Sequence, residues 1–497
     1  GEVKDLYLHA LLSESPDLNL TANLLNVSVD RYKQALSISQ LNGFIKLNQE
    51  NGYIDVHNEH RYEANYPALF PKPWVFDSTH GRVSYGYKDD VLMITSGLIE
   101  VRKGDLLAKG RFQLNLSEGD LNHTWGMELG IRNTPLLESF RYLPITLTPE
   151  VRTWLNEAVI GGVGKMGGMV FHGSLNGKAD KREKAFDIFF LVEDTIFEYD
   201  PRWPRFDDLS AHIYIGNSEI HSDDASARVF DSRIVNSEVT VPISQFGIVD
   251  TVLIDGGLRG SVSDGLRLLT ETPLFDVTNR MAESWGGEGE MQGVARLNIP
   301  LGKRSEESTF VDMEVNFTNT LITMPEYDID IEDLSGRLAY ESKSGIRSPM
   351  FTGKLFDEDI IGSVSTIGDP DSGVIDIKVE GRVAVNSLYE WTGQPLLTRG
   401  LGKMQYQSIL HIPYGERGAQ AISIDALSDL HGVGINMPSP IGKTASEKKS
   451  LEYTQIFLDS VSRIEIKLGD ELSAELQIMD EVLTGGRIHL GENLMGA

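Results

Sequence analysis

The sequence predicts a mainly β fold: a long, twisted, mostly antiparallel sheet of related modules, interrupted by a few short amphipathic helices. Three observations point there. Apolar and polar residues alternate over many short runs, turn residues follow each run closely, and no regular strand–helix–strand order runs through the 497 residues. Period-two alternation gives a strand one apolar and one polar side. Short Gly, Asp or Asn turns between such runs favour antiparallel meanders over crossovers.

Taken in order, Phe112, Leu114 and Leu116 form the first clear run, and Phe186, Ile188 and Phe190 another. Val311, Met313, Val315 and Phe317 alternate with Asp312, Glu314 and Asn316. Ile375, Ile377 and Val379 repeat the pattern. Ile464, Ile466 and Leu468 do so again, and Leu472, Ala474, Leu476 and Ile478 follow after Gly469-Asp470. Helical signals are sparse. Residues 148–160 have Thr148 to cap, Pro149 in the first turn, and Val151, Leu155 and Val159 at four-residue spacing. A second helix is expected over 264–284, interrupted at Pro273, and a shorter third over 386–397.

Two degenerate repeats run through the chain. A (D/Q)-L-x-(G/A) corner preceding an alternating run recurs at Gln40-Leu41-Asn42-Gly43, Asp208-Leu209-Ser210-Ala211, Asp333-Leu334-Ser335-Gly336 and Asp429-Leu430-His431-Gly432. A longer pattern, helix to Pro-Leu to a strand reaching Ile-Pro, occurs at Pro273-Leu274 with Ile299-Pro300 and at Pro395-Leu396 with Ile412-Pro413. Modules that stack strands in one direction build a solenoid-like sheet. The expected division is 1–147, 148–300, 301–413 and 414–497 within one continuous body, with 439–450 as the best exposed loop.

Composition removes several function classes. A net charge of -28 repels phosphate backbones, so nucleic acid is not an expected partner. The absence of cysteine excludes disulfides, thiolate metal sites and cysteine nucleophiles. No stretch approaches the roughly 18 consecutive apolar residues of a spanning helix. The chain opens at Gly1, so it reads as processed or cut from something longer.

Motifs that suggest chemistry fail on context. Gly162-Val163-Gly164-Lys165-Met166-Gly167 fits G-x-G-x-x-G, but a dinucleotide loop needs a strand before it and a helix after it. Here a helix precedes and a strand follows, so the glycines read as a helix cap and turn. Gly442-Lys443-Thr444 lacks the earlier P-loop glycine, since position 437 is Met437. His57-Asn58-Glu59-His60 lacks helical metal spacing and reads as a surface strand end. Asp328, Asp330, Glu332 and Asp333 read as solvated carboxylates along a β-edge. No nucleophile elbow or Ser/His/Asp set stands out. The sequence calls for no enzyme activity, no cofactor and no metal.

The apolar faces still need cover. A closed sandwich supplies it with a second sheet; an open trough leaves the face free for lipid. Periodicity does not choose between them.

Several ordered motifs do carry a resemblance. WLNEAVIGG (154–162), then G-x-M-V-F-H-G (167–173), then IFEYDPRWPRFDDLSA (196–211) resemble the signature of the YhdP family of AsmA-like envelope proteins. The likeness continues through GGLRGSVSDGLRLLTETPL (256–274), GVARLNIPL (293–301) and ALSDLHGVGINMPSPIGKTASEKKSLEY (426–453). It covers about 150 to 497. The resemblance implies a periplasmic segment of a bridge-like lipid transfer protein, anchored in the inner membrane when complete. Its sheet would curl into an elongated open groove that carries phospholipid between inner and outer membrane. Groove candidates are Val311, Met313, Val315, Phe317, Ile375, Ile377, Val379, Phe186, Ile188 and Phe190, with the helices at 148–160 and 264–284 capping or lining the trough. The alternative is a closed β-solenoid scaffold that binds envelope proteins through its acidic surface.

Overall fold

The computed structural model describes residues 1–11, 17–30, 37–67, 70, 72–117, 123–139, 149–174, 183–244, 249–272, 284–300, 309–369, 372–414, 421–458, 461–479 and 482–491. Among the described residues lie 31 strands and a few short helices, and the described ladders are antiparallel. The mainly β expectation holds. Two compact units divide the chain, the first mainly Gly1–Val229 and Ile234–Ile254, the second mainly Asp255–Ile299 and Ser308–Ala497 together with Phe230–Arg233.

Within each unit the chain meanders. In the first, Leu106–Ser117 pairs with Thr124–Pro135, which pairs with Val159–Ser174, then Lys184–Phe197, Phe206–Ile215 and Glu219–Val229 in turn. In the second, Glu290–Pro300, Phe310–Met324, Ile329–Glu341, Gly345–Leu355, Glu358–Asp369, Ser372–Ala384 and Gly400–Pro413 pair successively. Ile422–Ser428, Leu451–Leu458, Val461–Leu468, Leu472–Met479 and Val482–Leu490 extend the ladder.

The repeated (D/Q)-L-x-(G/A) segments differ from the corners the sequence suggests. Three of them lie inside strands, with Gln40 at φ +58, Asp208 at φ +53 and Asp333 at φ +48. The strand opposite each carries its own left-handed residue: Asn26, Asp194 and Asn319. The ladders slip at these places, between Leu24 and Val27, Val192 and Thr195, and Phe317 and Thr320. These are β-bulges, which bend and twist a strand. Asp and Asn tolerate the left-handed region better than most side chains, which explains their recurrence. Only Asp429-Leu430-His431-Gly432 occupies a turn, between Ile422–Ser428 and Val433–Ile435.

The glycine-rich segment is likewise not a helix cap. The helix Pro149–Ala158 ends earlier, and Val159–Ser174 is one 16-residue strand containing every one of these glycines. Gly162 has φ +127, and a Cβ there would lie 2.5 Å from Thr195 Oγ1. Gly289 repeats the arrangement in the second unit, with φ +104 and a would-be Cβ 2.9 Å from Thr320 Cγ2. Thr195 pairs with Leu209 and Thr320 with Leu334, so glycine, threonine and the D-L segment recur as one structural set. The cap reading failed because β-bulges impose the same φ demand on glycine as helix ends do.

Other helices are Leu136–Ser139, Val262–Thr270 and Val385–Thr392. The second expected helix appears as Val262–Thr270, and its portion from 273 to 283 lies outside the described residues. Ser261 caps it by accepting from the Asp264 amide. Buried Asp264 accepts from Ser232 Oγ at 2.6 Å and from the Asp231 amide at 3.1 Å, tying the helix to the Phe230–Arg233 turn of the same unit. The third ends at Gly393, φ +65, and a 3-10 turn over Pro395–Arg399 follows. The 439–450 segment is mostly exposed, but Lys443 within it is buried, and its ammonium donates to the carbonyls of Leu430 and Val433.

Among the described residues few side chains are fully buried, and most of these are small or β-branched, such as Ala22, Ala158, Ile360 and Val433. Asn58 is sealed as well, accepting from the Asn42 amide and donating to the His60 carbonyl, so 57–60 is not simply a surface strand end. Accessible surface totals 30586 Å². A compact monomer of this length would expose about 18,000 Å², and two separate compact halves about 22,000 Å².

Candidate functional site

Residues directly opposed in an antiparallel ladder point to the same side. From Met291 one row can be followed across twelve strands: Phe317, Gly336, Phe351, Gly362, Val379, Ser408, Ala426, Tyr453, Ile466, Ala474 and Ile488. A neighbouring row joins Val364, Ile377, Leu410, Ile424, Gln455, Ile464 and Leu476. Ile375 pairs with Ile412, Val315 with Leu338, Met313 with Tyr340, and Val311 with Leu297. The seven candidates in the second unit therefore share one nearly continuous apolar face. Its polar members include Ser348, Thr366, Ser408 and Gln455, the last accepting from Tyr453 Oη at 2.7 Å.

In the first unit Phe186, Ile188 and Phe190 also share a face. Phe186 pairs with Phe171; Ile188 pairs with Met169 and Ile215; Phe190 pairs with Gly167 and Ile213. A Cβ on Gly167 would sit 3.1 Å from the Phe190 ring and 3.2 Å from Ile131, so this glycine lets the aromatic lie flat across the strand. Phe190 also packs on the small core of Val192, Ala211 and Ala225, beside Leu136.

All ten candidates are half-buried, neither sealed nor open. The opposite side of the same strands is charged. Arg296 bridges Asp255 at 3.0 Å and Asp312 at 3.6 Å, Arg337 pairs with Glu314, and Lys467 lies 3.5 Å from Glu452. Such exposed pairs stabilise weakly, about 0.2–1 kcal/mol each, so they mark a solvated face. His411 also lies there, between Asp376 at 2.7 Å and Asp425 at 3.2 Å. The Asp328–Asp333 carboxylates are exposed as expected, but their strand is paired on both sides and is no sheet edge. Among the described residues no group of three or more His, Asp or Glu side chains could hold a metal ion.

Two phenols report the polarity of the apolar face. Tyr453 lies in the first row, and Tyr406 pairs with Gly381 two residues beyond Val379. Burial pushes each up to about 12 by penalising the phenolate. Sequence reasoning missed both, along with Leu410, Ile412 and Phe457. The alternation of Met404, Tyr406, Leu410 and Ile412 was visible, but apolar Ile409 and Ile456 on the opposite side blurred the period.

The second unit also shows which way this face curves. Strand ends alternate between two rims. Tyr327 occupies the corner between Phe310–Met324 and Ile329–Glu341; Phe457 lies near the end of Leu451–Leu458 at the other rim. Six pairings separate Ile329–Glu341 from Leu451–Leu458, about 29 Å along a flat sheet. Yet the two ring centroids are 6.5 Å apart. Phe457 pairs with Ile422, on the side of Ile424 and Ile377, so the apolar face is concave here. The helix Val262–Thr270 lies against this face at one end, where a Cβ on Gly265 would come within 2.7 Å of the Met291 methyl.

A family model described as YhdP protein matches residues 1–496. The Intermembrane phospholipid transporter YhdP of Escherichia coli (strain K12) is 22% identical over 394 residues, which cover 77% of this chain and 30% of that protein. The chain thus spans about 30% of the length of that curated relative. No solved structure matches.

Proposed function

Because the chain belongs to the YhdP protein family, we propose that it is a periplasmic segment of a lipid-conducting protein, whose concave face carries phospholipid acyl chains between inner and outer membrane. The observation that supports this most is the largely apolar row followed across twelve strands, most of it half-buried. A protein core would cover such a row with a second layer. A surface exposed to water alone would not remain apolar over so great a length.

The energetics suit the task. Exposing acyl chains to water costs about 0.8 kcal/mol per CH₂, on the order of 20 kcal/mol for two long chains. A continuous apolar strip removes most of that barrier, and its register of Val, Ile, Phe and Met provides contact without binding any one point tightly. No bond is made or broken, so the reading is non-enzymatic. Among the described residues no helix is long and apolar enough to cross a membrane.

Lipid extraction of the purified protein, followed by mass spectrometry, tests the reading. Near-stoichiometric phospholipid is expected. Its absence, with the apolar face shielded from a hydrophobic dye, would sink it.

A further inference from the structure

The ring contact that reveals the trough also closes it. Tyr327 and Phe457 come from opposite rims, and their rings meet at an interplanar angle of 67° across the mouth. Tyr327 is held from behind on its own rim: the Trp391 indole N–H donates to its carbonyl at 2.7 Å. Trp391 in turn packs on Phe356, with centroids 5.3 Å apart. These three residues come from successive corners of one rim: Tyr327 between Phe310–Met324 and Ile329–Glu341, Phe356 between Gly345–Leu355 and Glu358–Asp369, and Trp391 in Val385–Thr392. One rim is thus braced by a chain of aromatic contacts, and among the described residues an edge-on ring pair joins it to the other.

We propose that Tyr327 and Phe457 form a clasp over the trough of the second unit, which must part before a two-chain lipid enters from the side. The inference rests on the lipid-groove reading and adds where entry is controlled. Tyr327 is 43% exposed, so part of its side chain already faces solvent when the clasp is closed. The braced corner behind it keeps the rim in place while the clasp opens. Chains already in the trough would pass beneath a closed clasp, whereas lateral loading requires it open.

The chain contains no cysteine, so a defined tether is simple to install. The double variant Tyr327→Cys/Phe457→Cys, bridged with a short cleavable bismaleimide, is incubated with phosphatidylcholine vesicles carrying a trace of acyl-labelled fluorescent phosphatidylcholine. Bridging is expected to slow lipid uptake by about tenfold or more, as closure of a lid does, and cleavage of the linker to restore it. Single-cysteine variants blocked with N-ethylmaleimide should load at the unmodified rate, which separates tethering from added bulk. Uptake at the wild-type rate by the bridged protein would overturn the clasp and leave the groove standing. Failure of the two cysteines to bridge in the folded protein would also overturn it. If the wild-type protein takes up no lipid at all, the groove reading falls and the clasp with it.

Discussion

Val315 is the residue at which a trough and a sealed core predict opposite results. It is half-buried between Leu338 and Gly293, on the face opposite Glu314 and Asn316. In a closed core, Val315→Asp would bury an unpaired carboxylate and unfold the unit. On a trough wall the carboxylate reaches water, so the β-sheet circular dichroism should persist while photocrosslinking to lipid chains is lost. The phenols give a second test. Burial pushes the Tyr453 phenol up to about 12 in the folded protein, against about 10 for a free phenol. Its contribution to stability is therefore complete below about pH 10 and lost as pH rises towards 12. Ultraviolet titration should show a late phenolate transition that Tyr453→Phe diminishes.

At the scale of elements, the bulges govern how each strand bends. Gly162 and Gly289 combine a positive φ with a Thr backbone where a Cβ would have to sit. Gly162→Ala and Gly289→Ala should each destabilise by about 2–4 kcal/mol, from strain and close contact together. Gly86→Ala is the control: its would-be Cβ meets nothing within 4 Å, so a change within about 1 kcal/mol is expected by urea denaturation. The alternating runs and the short helices could be placed from the sequence, because period two and period 3.6 are local properties. The bulges could not. Asp333-Leu334-Ser335-Gly336 looks like a turn by composition, since turns and bulges both favour Asp and Gly in left-handed conformations. Only the paired strand, with Asn319 opposite, shows that the ladder continues through it. Lys443 was hidden for a similar reason: its carbonyl partners lie ten and thirteen residues away.

For the molecule as a whole, a net charge of -28 on a sheet with one charged side implies strong self-repulsion. Moderate salt should raise the thermal midpoint, because screening at about 0.15 M reaches charges beyond roughly 8 Å and the exposed ion pairs it weakens contribute little. A midpoint that falls with salt would show the cross-strand pairs to be dominant instead. Composition and alternation by themselves determined that this is a β protein with faces of opposite polarity, and the ordered motifs determined its family. Both are written in short stretches of chain. Only the tertiary structure decided that Phe317, Val379 and Ile488 stand in one row, that the apolar side is the concave one, and that Tyr327 reaches Phe457 across its mouth. Register and curvature are sums over many strand pairings, and a one-residue slip at any of them would turn the side chains beyond it to the other face.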